Sequence, residues 1–419
     1  MVSMNELKQD MITGMGYIGL DSGRLYRMRR GPKLIEAVAS GTTIIINDAT
    51  EGRPFRGLRV FGKSTQDGTP SVENPVPIVN AGEGGSITVE VTGRNLIDYT
   101  KAKCGADVQF IDGGFIVGGD ARHRIINIPF KFKKDKSYTT TFKCETLIGL
   151  GNINIYLPGG KYSVSGKAKE QYGIISNKPF VPLDEYTAIG FYVSLENTDT
   201  TKLKITDILL VETGTDTTYE PYKKPQSLTL ATPNSLPGVP VDKDGNYTDK
   251  NGQQWITDEI DLGRGKYVQR VLKTKPNKTI VFNNRNENGR CALFDNSLFG
   301  TKWMNGTKQA LSSIAQWSEW GDGADGTFAL STDGIYYKDS MKTLEEVNDM
   351  FAKIGTDFEV CGVLATPIER DLTPEEIAAY KALRTYGPTT VVSNDAGAGM
   401  EITYRKDKKN EKIHWNKVD

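Results

Sequence analysis

The chain is poor in the residues from which most active sites and metal centres are built. Two histidines, His123 and His414, serve 419 residues, so histidine triads, His-metal sites and His acid/base pairs have almost no material. The four cysteines, Cys104, Cys144, Cys291 and Cys361, are scattered, with no CxxC and no histidine at ligand spacing. They read as small buried hydrophobes of a chain made in a reducing cytosol, which argues against a zinc site or a disulfide framework. Net charge is missing too: 52 Lys and Arg balance 52 Asp and Glu, leaving no global field to draw the chain onto nucleic acid or an anionic membrane. No window approaches the ~18 apolar residues of a membrane span. Residues 1–30 hold no apolar stretch long enough for a signal peptide, so export is expected by cell lysis or within a particle. No GxSxG, Walker loop or GxGxxG after a strand occurs.

What the chain does have is turn chemistry and β-period. Forty-four glycines and 18 prolines mark many turns. Hydrophobic residues at 37% and a mean hydropathy of −0.43 give the high surface-to-core ratio of several small β-domains. Length sets about three domains as the starting expectation. Strands are expected at Thr43–Ile46, Leu58–Gly62, Ser86–Val91, Tyr138–Phe142, Ile153–Leu157, Ala188–Leu195, Lys266–Leu272, Thr327–Leu330 and Met400–Tyr404. In Ile205–Tyr222 (ITDILLVETGTDTTYEPY), Ile205, Ile208, Leu209, Leu210 and Val211 can fill a strand covered on both faces, with Tyr219, Pro221 and Tyr222 as a stiff exit. Two helices are expected: Thr343–Ile354 and Thr373–Leu383, each opening on a T-x-x-E capping pattern.

This predicts a mainly β chain of tandem β-sandwich, jelly-roll-like domains with a few short helices. Residues 1–43 read as an N-terminal attachment arm, in which Pro32–Ala39 (PKLIEAVA) could form two helical turns; a plain first strand or a disordered leader is the alternative. A β-rich connector spans 44–94, a first sandwich 95–222, a Pro-rich linker and hairpin segment 223–275, a second sandwich with both helices 276–404, and a basic tail 405–419.

Three stretches carry a resemblance: Asn47–Pro70 (NDATEGRPFRGLRVFGKSTQDGTP), Ile205–Tyr222, and Asn251–Arg270 (NGQQWITDEIDLGRGKYVQR). Each is built to fold as β-structure and bind. In this order they resemble tail-associated structural proteins of phages, prophages and phage-tail-like particles of Gram-positive bacteria, over roughly Ile44 to Tyr404. The phrase "ATEG-P-RGL-VFGKSTQ-GTP" is similar to one such proteins carry before a carbohydrate-binding-module-like domain. The resemblance implies a non-enzymatic component of the distal tail (fibre, baseplate or tip) contributing to host-surface recognition. It also implies attachment to other tail or baseplate subunits through the N-terminal region, and frequent trimers. Location in a virion or extracellular tail-like particle, assembled in the host cytoplasm, follows from the same likeness. The rivals are a tail-borne cell-wall or capsule hydrolase and a bacterial surface adhesin.

Candidate site residues are aromatic, because a pyranose stacks its C–H face on Trp or Tyr while Asn, Asp or Arg bind its hydroxyls. The densest set is Trp303, Trp317, Trp320, Tyr336 and Tyr337 with Asn284 and Arg285, for a bacterial surface glycan; Tyr156, Tyr162, Tyr172 and Tyr192 could serve in the first sandwich. Sandwich cores and subunit interfaces would use the same aromatics. The closest metal-like pattern is DKDGNYTD, with Asp242, Asp244, Asn246 and Thr248 alternating as in a calcium loop, but with Tyr247 in place of the EF-hand glycine and Gln253 in place of the final Glu. A turn on Asp244-Gly245 explains the same residues. No catalytic residue, cofactor, nucleic acid or membrane insertion is expected.

Overall fold

In the computed structural model the described residues are 16–19, 25–28, 34–119, 123–134, 136–149, 151–157, 163–166, 173–176, 179–182, 187–195, 201–295, 297–300, 303, 310–318 and 323–407. They form a mainly β protein with two α-helices among them. Ten strands make a central frame: β1 (Leu34–Gly41), β2 (Thr43–Ile46), β3 (Gly57–Phe61), β4 (Ser86–Thr92), β5 (Gln226–Ala231), β6 (Glu259–Asp261), β7 (Lys266–Thr274), β8 (Val360–Asp371), β9 (Thr390–Asn394) and β10 (Gly399–Asp407). One sheet runs β5-β4-β9-β2. The other runs from the short strand Ala310–Ser312 through β8-β7-β6-β3-β10 to β1.

Alternation explains how the two sheets face each other. In β4, Ile87, Val89 and Val91 are all fully buried, and Leu228 and Leu230 of β5, Leu58 and Val60 of β3, and Met400 and Ile402 of β10 join them in one core. Helix α1 (Leu344–Ile354) belongs elsewhere, but helix α2 (Pro374–Ala382) caps this core with Tyr380. Its capping-box residue Glu376 does double duty, accepting from the Thr373 N–H and, through its other oxygen, from the Ala231 N–H at 2.9 Å. The helix start is thereby tied to the end of β5.

Residues 34–41 are a strand, not helical turns. β1 pairs with β10 from Leu34↔Asp407 to Gly41↔Met400. Ala37 and Ala39 turn toward the core while Glu36 and Val38 stay exposed. An eight-residue helix would gain too few hydrogen bonds to offset its nucleation, whereas the β10 edge offers a complete ladder.

Both larger modules are excursions from hairpins of this frame. β4 and β5 pair directly, Val91 opposite Gln226, and residues 95–222 lie between them. They form a sandwich of a five-stranded sheet (173–176, 138–148, 202–212, 114–117, 108–111) on a four-stranded one (123–129, 188–195, 151–156, 163–166). Strand 202–212 buries Ile205, Ile208, Leu209, Leu210 and Val211 as expected of a strand with two covered faces. β7 and β8 also pair, Thr274 opposite Val360, and the second excursion lies between them. It holds a five-stranded sheet (284–285, 290–293, 335–338, 327–330, 316–317) on which α1 packs Val347 and Phe351. Asn348 of α1 grips the Phe282 backbone, accepting from its N–H at 2.8 Å and donating to its carbonyl at 3.0 Å.

Segments read from sequence as connector (44–94), linker (223–275) and the end of a second sandwich (372–404) therefore share a single core. Within the expected linker, Gln226–Ala231 and Gly238–Val241 are strands.

Candidate binding cleft

The frame places several strand ends beside a small sheet of Gly238–Val241, Gln254–Thr257 and Tyr247–Thr248, in which Gln254–Thr257 is central. Between them opens a cleft of about 70 Å³, lined by Gly41, Thr42, Gly62, Lys63, Gly397 and Gly399 of the frame side, and by Tyr247, Asp249, Lys250, Asn251 and Trp255 of the hairpin. Glycine is required at 399, because a Cβ there would meet the Tyr247 ring at 2.5 Å. That ring stacks on Phe61 with centroids 4.6 Å apart and planes 17° from parallel, and the Arg59 guanidinium lies 4.8 Å from the Phe61 centroid.

Asp249 organises the hairpin. Its Oδ1 accepts from the Asn251 and Gln253 N–H groups at 2.9 and 3.1 Å, and its Oδ2 from the Trp255 indole at 3.1 Å. What burial the carboxyl has would raise its pKa, but these donors and nearby Lys63 outweigh it and hold Asp249 below the ordinary carboxylate range. Lys63 Nζ sits 5.3 Å from the Trp255 ring centroid. The side chains of Lys250 and Asn251 are exposed at the mouth.

Beneath the cleft runs a polar belt. Glu259, buried in β6, takes Arg59 at 2.7 Å and Arg270 at 3.0 Å, and Arg59 continues to Glu401 at 3.1 Å. Burial would raise Glu259, but the two guanidiniums pull it below its usual value. Asp258, completely buried, accepts from Tyr267 Oη at 2.6 Å and from the Arg270 and Val271 N–H groups at 2.8 Å each. These two amides belong to the register shift in β7 between Gln269 and Val271, so the carboxyl satisfies a bulge that the ladder leaves unpaired. Burial pushes Asp258 up to about 7 against those donors. Cys361, in the same buried region, is pushed up to about 12 and is no nucleophile.

The aromatic set named from sequence lies elsewhere. Trp303, Tyr336 and Tyr337 are 1%, 3% and 4% exposed, and Trp303 and Tyr337 belong to the core beneath α1. Trp317 is half-buried against that core, and Trp320 lies outside the described residues. Tyr336 is packed with Ala292 and Ala329, with Arg290 5.4 Å from its ring centroid. Asn284 is exposed; Arg285 is half-buried, its Nη2 donating to the Asp339 and Ser340 carbonyls at 3.4 Å. Three of the five aromatics thus serve as interior packing, the alternative use that their sequence left open. Tyr192 is half-buried; Tyr162, Tyr172 and His414 fall outside the described residues, as do the side chains of Tyr156 and His123.

Asp242, Asp244 and Thr248 point to solvent without converging, and Asn246 spends its amide on Thr257, accepting from its N–H at 2.8 Å. Asp244 adopts a left-handed φ of 62°, as a turn residue would. Among the described residues no three His, Cys, Asp or Glu side chains cluster as metal ligands. Tyr247, which stands where the calcium-loop pattern has glycine, is a wall of the cleft.

Sequence reading missed Lys63, Tyr247, Asp249, Lys250 and Trp255 as a group. Two of the stretches singled out for binding, 47–70 and 251–270, contain Gly62, Lys63, Asn251 and Trp255, and that was the available signal. Neither a scan of protein-family models nor a search of curated proteins returns a match to the chain. What the fold and site define is a mainly β, multi-module protein with a small polar-aromatic cleft on its frame.

Proposed function

We propose that this chain is a non-enzymatic structural component of the distal tail of a phage or phage-tail-like particle of Gram-positive bacteria, working as an oligomer and contributing to recognition of the host surface. The observation that carries the reading is where the three resembling stretches fall. Residues 47–70 supply β3 and its approach, residues 251–270 supply β6 and most of β7, and residues 205–222 are the last strand of the first sandwich and its return to the frame. All three therefore build the frame and its joint with the first sandwich, the parts from which the modules are displayed.

The joint suits a mechanical role. Arg94, leaving β4, forms a buried ion pair with Glu220, which precedes β5, and a 2.7 Å pair with Asp216. Thr389 of the frame accepts from Arg94 at 2.8 Å and donates to Glu220 at 2.7 Å. Both stems of the sandwich are thus locked to each other and to the frame. Catalysis has less to stand on: among the described residues Asp249 is the single acid lining the cleft, whereas glycoside hydrolysis uses a carboxylate pair.

The test is to purify particles from an induced host and label this chain. Co-sedimentation with tails and label at their distal end are expected; a chain that stays in the particle-free supernatant would overturn the assignment. Release of reducing sugar or peptide from host walls by the purified protein would replace it with the hydrolase.

A further inference from the structure

We infer that the cleft between the frame and the 247–255 hairpin binds an acidic glycan, taking the carboxylate or phosphate of one sugar unit against Lys63, Lys250 and Asn251 with Tyr247 as its apolar wall. This rests on the host-recognition reading and gives it a site and a ligand class.

The polar groups that remain available decide the ligand class. Asp249, the one carboxylate lining the cleft among the described residues, already accepts from two backbone amides and an indole N–H. Three of its roughly four acceptor sites are thereby taken. Lys63 and Lys250 line the same cleft and, among the described residues, neither forms an ion pair; Lys63 rests against the Trp255 ring, which leaves its N–H donors available, and the Asn251 side chain is exposed beside them. The groups left over are donors and cations, so the complement is rich in acceptors and negative. The Tyr247 ring, backed by Phe61, is held in place before any ligand arrives and supplies the hydrocarbon surface on which a sugar C–H face rests.

Size narrows the choice. One water needs roughly 10–15 Å³ of cavity volume, so 70 Å³ replaces a few waters with an oxyanion and the ring atoms that bear it. The cleft opens to solvent at Lys250 and Asn251, so neighbouring units continue along its mouth, which suits an internal residue of a polymer. A shallow cationic subsite gives weak, salt-sensitive affinity, and a multi-copy particle raises it by avidity.

The experiment is a titration of the full chain, by saturation-transfer NMR and calorimetry at 50 and 300 mM salt. The probes are a uronic-acid oligosaccharide, an oligomeric glycerol phosphate, a neutral glucan of equal length and a glutamate oligomer. Binding of one or both acidic glycan-type probes is expected, weakening at least threefold at high salt, with tenfold loss or more in Lys63→Ala/Lys250→Ala. Lys250→Ala/Asn251→Ala, confined to an exposed turn, should lose at least threefold without a change in melting temperature, separating ligand contact from folding. Binding unchanged in both variants, equal binding of the neutral glucan, preference for the glutamate oligomer, or no binding of any probe would each overturn the proposal. Whichever anionic probe wins identifies the source of the charge. None of these outcomes bears on whether the chain resides in tails, which the co-sedimentation test decides alone.

Discussion

The two excursions differ in how they close their cores. The first sandwich draws every buried core residue, from Ile97 to Leu210, out of its own insert. The second cannot: its core reaches Val360 and Leu364 of β8, packs on Leu272 of β7 and Val72 of the connection between β3 and β4, and its strand 310–312 pairs with β8. A module that buries its own apolar face can be carried on two stems, whereas one that borrows a wall must fold with its host. The first is thus a passenger and the second a part of the frame.

The largest expected effects come from excision. Replacing residues 95–221 by a short turn should leave a frame that still unfolds cooperatively, and residues 94–222 should fold alone; replacing 276–358 should abolish cooperative melting of what remains. Calorimetry on the three proteins checks this, and a frame that tolerates both losses equally would erase the distinction.

Point changes sharpen it. Phe351→Ala, at the centre of the borrowed core, should cost ~3–5 kcal/mol and lower the melting of frame and module together. Arg94→Ala strands the buried Glu220 carboxylate and should cost ~3–5 kcal/mol, visible as earlier release of the sandwich in hydrogen exchange while its interior stays protected.

A pH series probes the frame alone. The Asp258 carboxyl titrates near 4 when unfolded but near 7 when folded, so between these values the folded state binds more protons. Its contribution is complete below about pH 4 and fades as pH rises through 7. Melting temperature should therefore fall from pH 5 to 8 in the native chain and flatten in Asp258→Asn, which keeps an acceptor for the bulge amides. Smallest are the caps: Thr343→Ala and Thr373→Ala should each cost ~1 kcal/mol. The second should cost more, because losing its grip on Glu376 also loosens the Ala231 contact.

Much of the secondary structure was legible because its causes are local. The capping boxes at Thr343 and Thr373 form as their T-x-x-E spacing dictates, with Glu346 and Glu376 closing them. Strand 188–195 runs over the expected residues, and the apolar block at 208–211 is buried on both faces. The 34–41 strand was harder, since its choice between helix and strand depends on β10, more than 350 residues away. The aromatics misled for a related reason: Trp303 and Tyr337 look the same in sequence whether they stack on sugar or on Phe299 and Phe351.

By itself the sequence determined period, turns and caps, because these depend on neighbours within a few residues. The tertiary structure alone decided that β4 meets β5 across 133 intervening positions, that β7 meets β8, and that Lys63 comes to lie beside Trp255. Strand pairing and burial are bargains between distant segments, struck through shared apolar surface and backbone hydrogen bonds that no local pattern encodes.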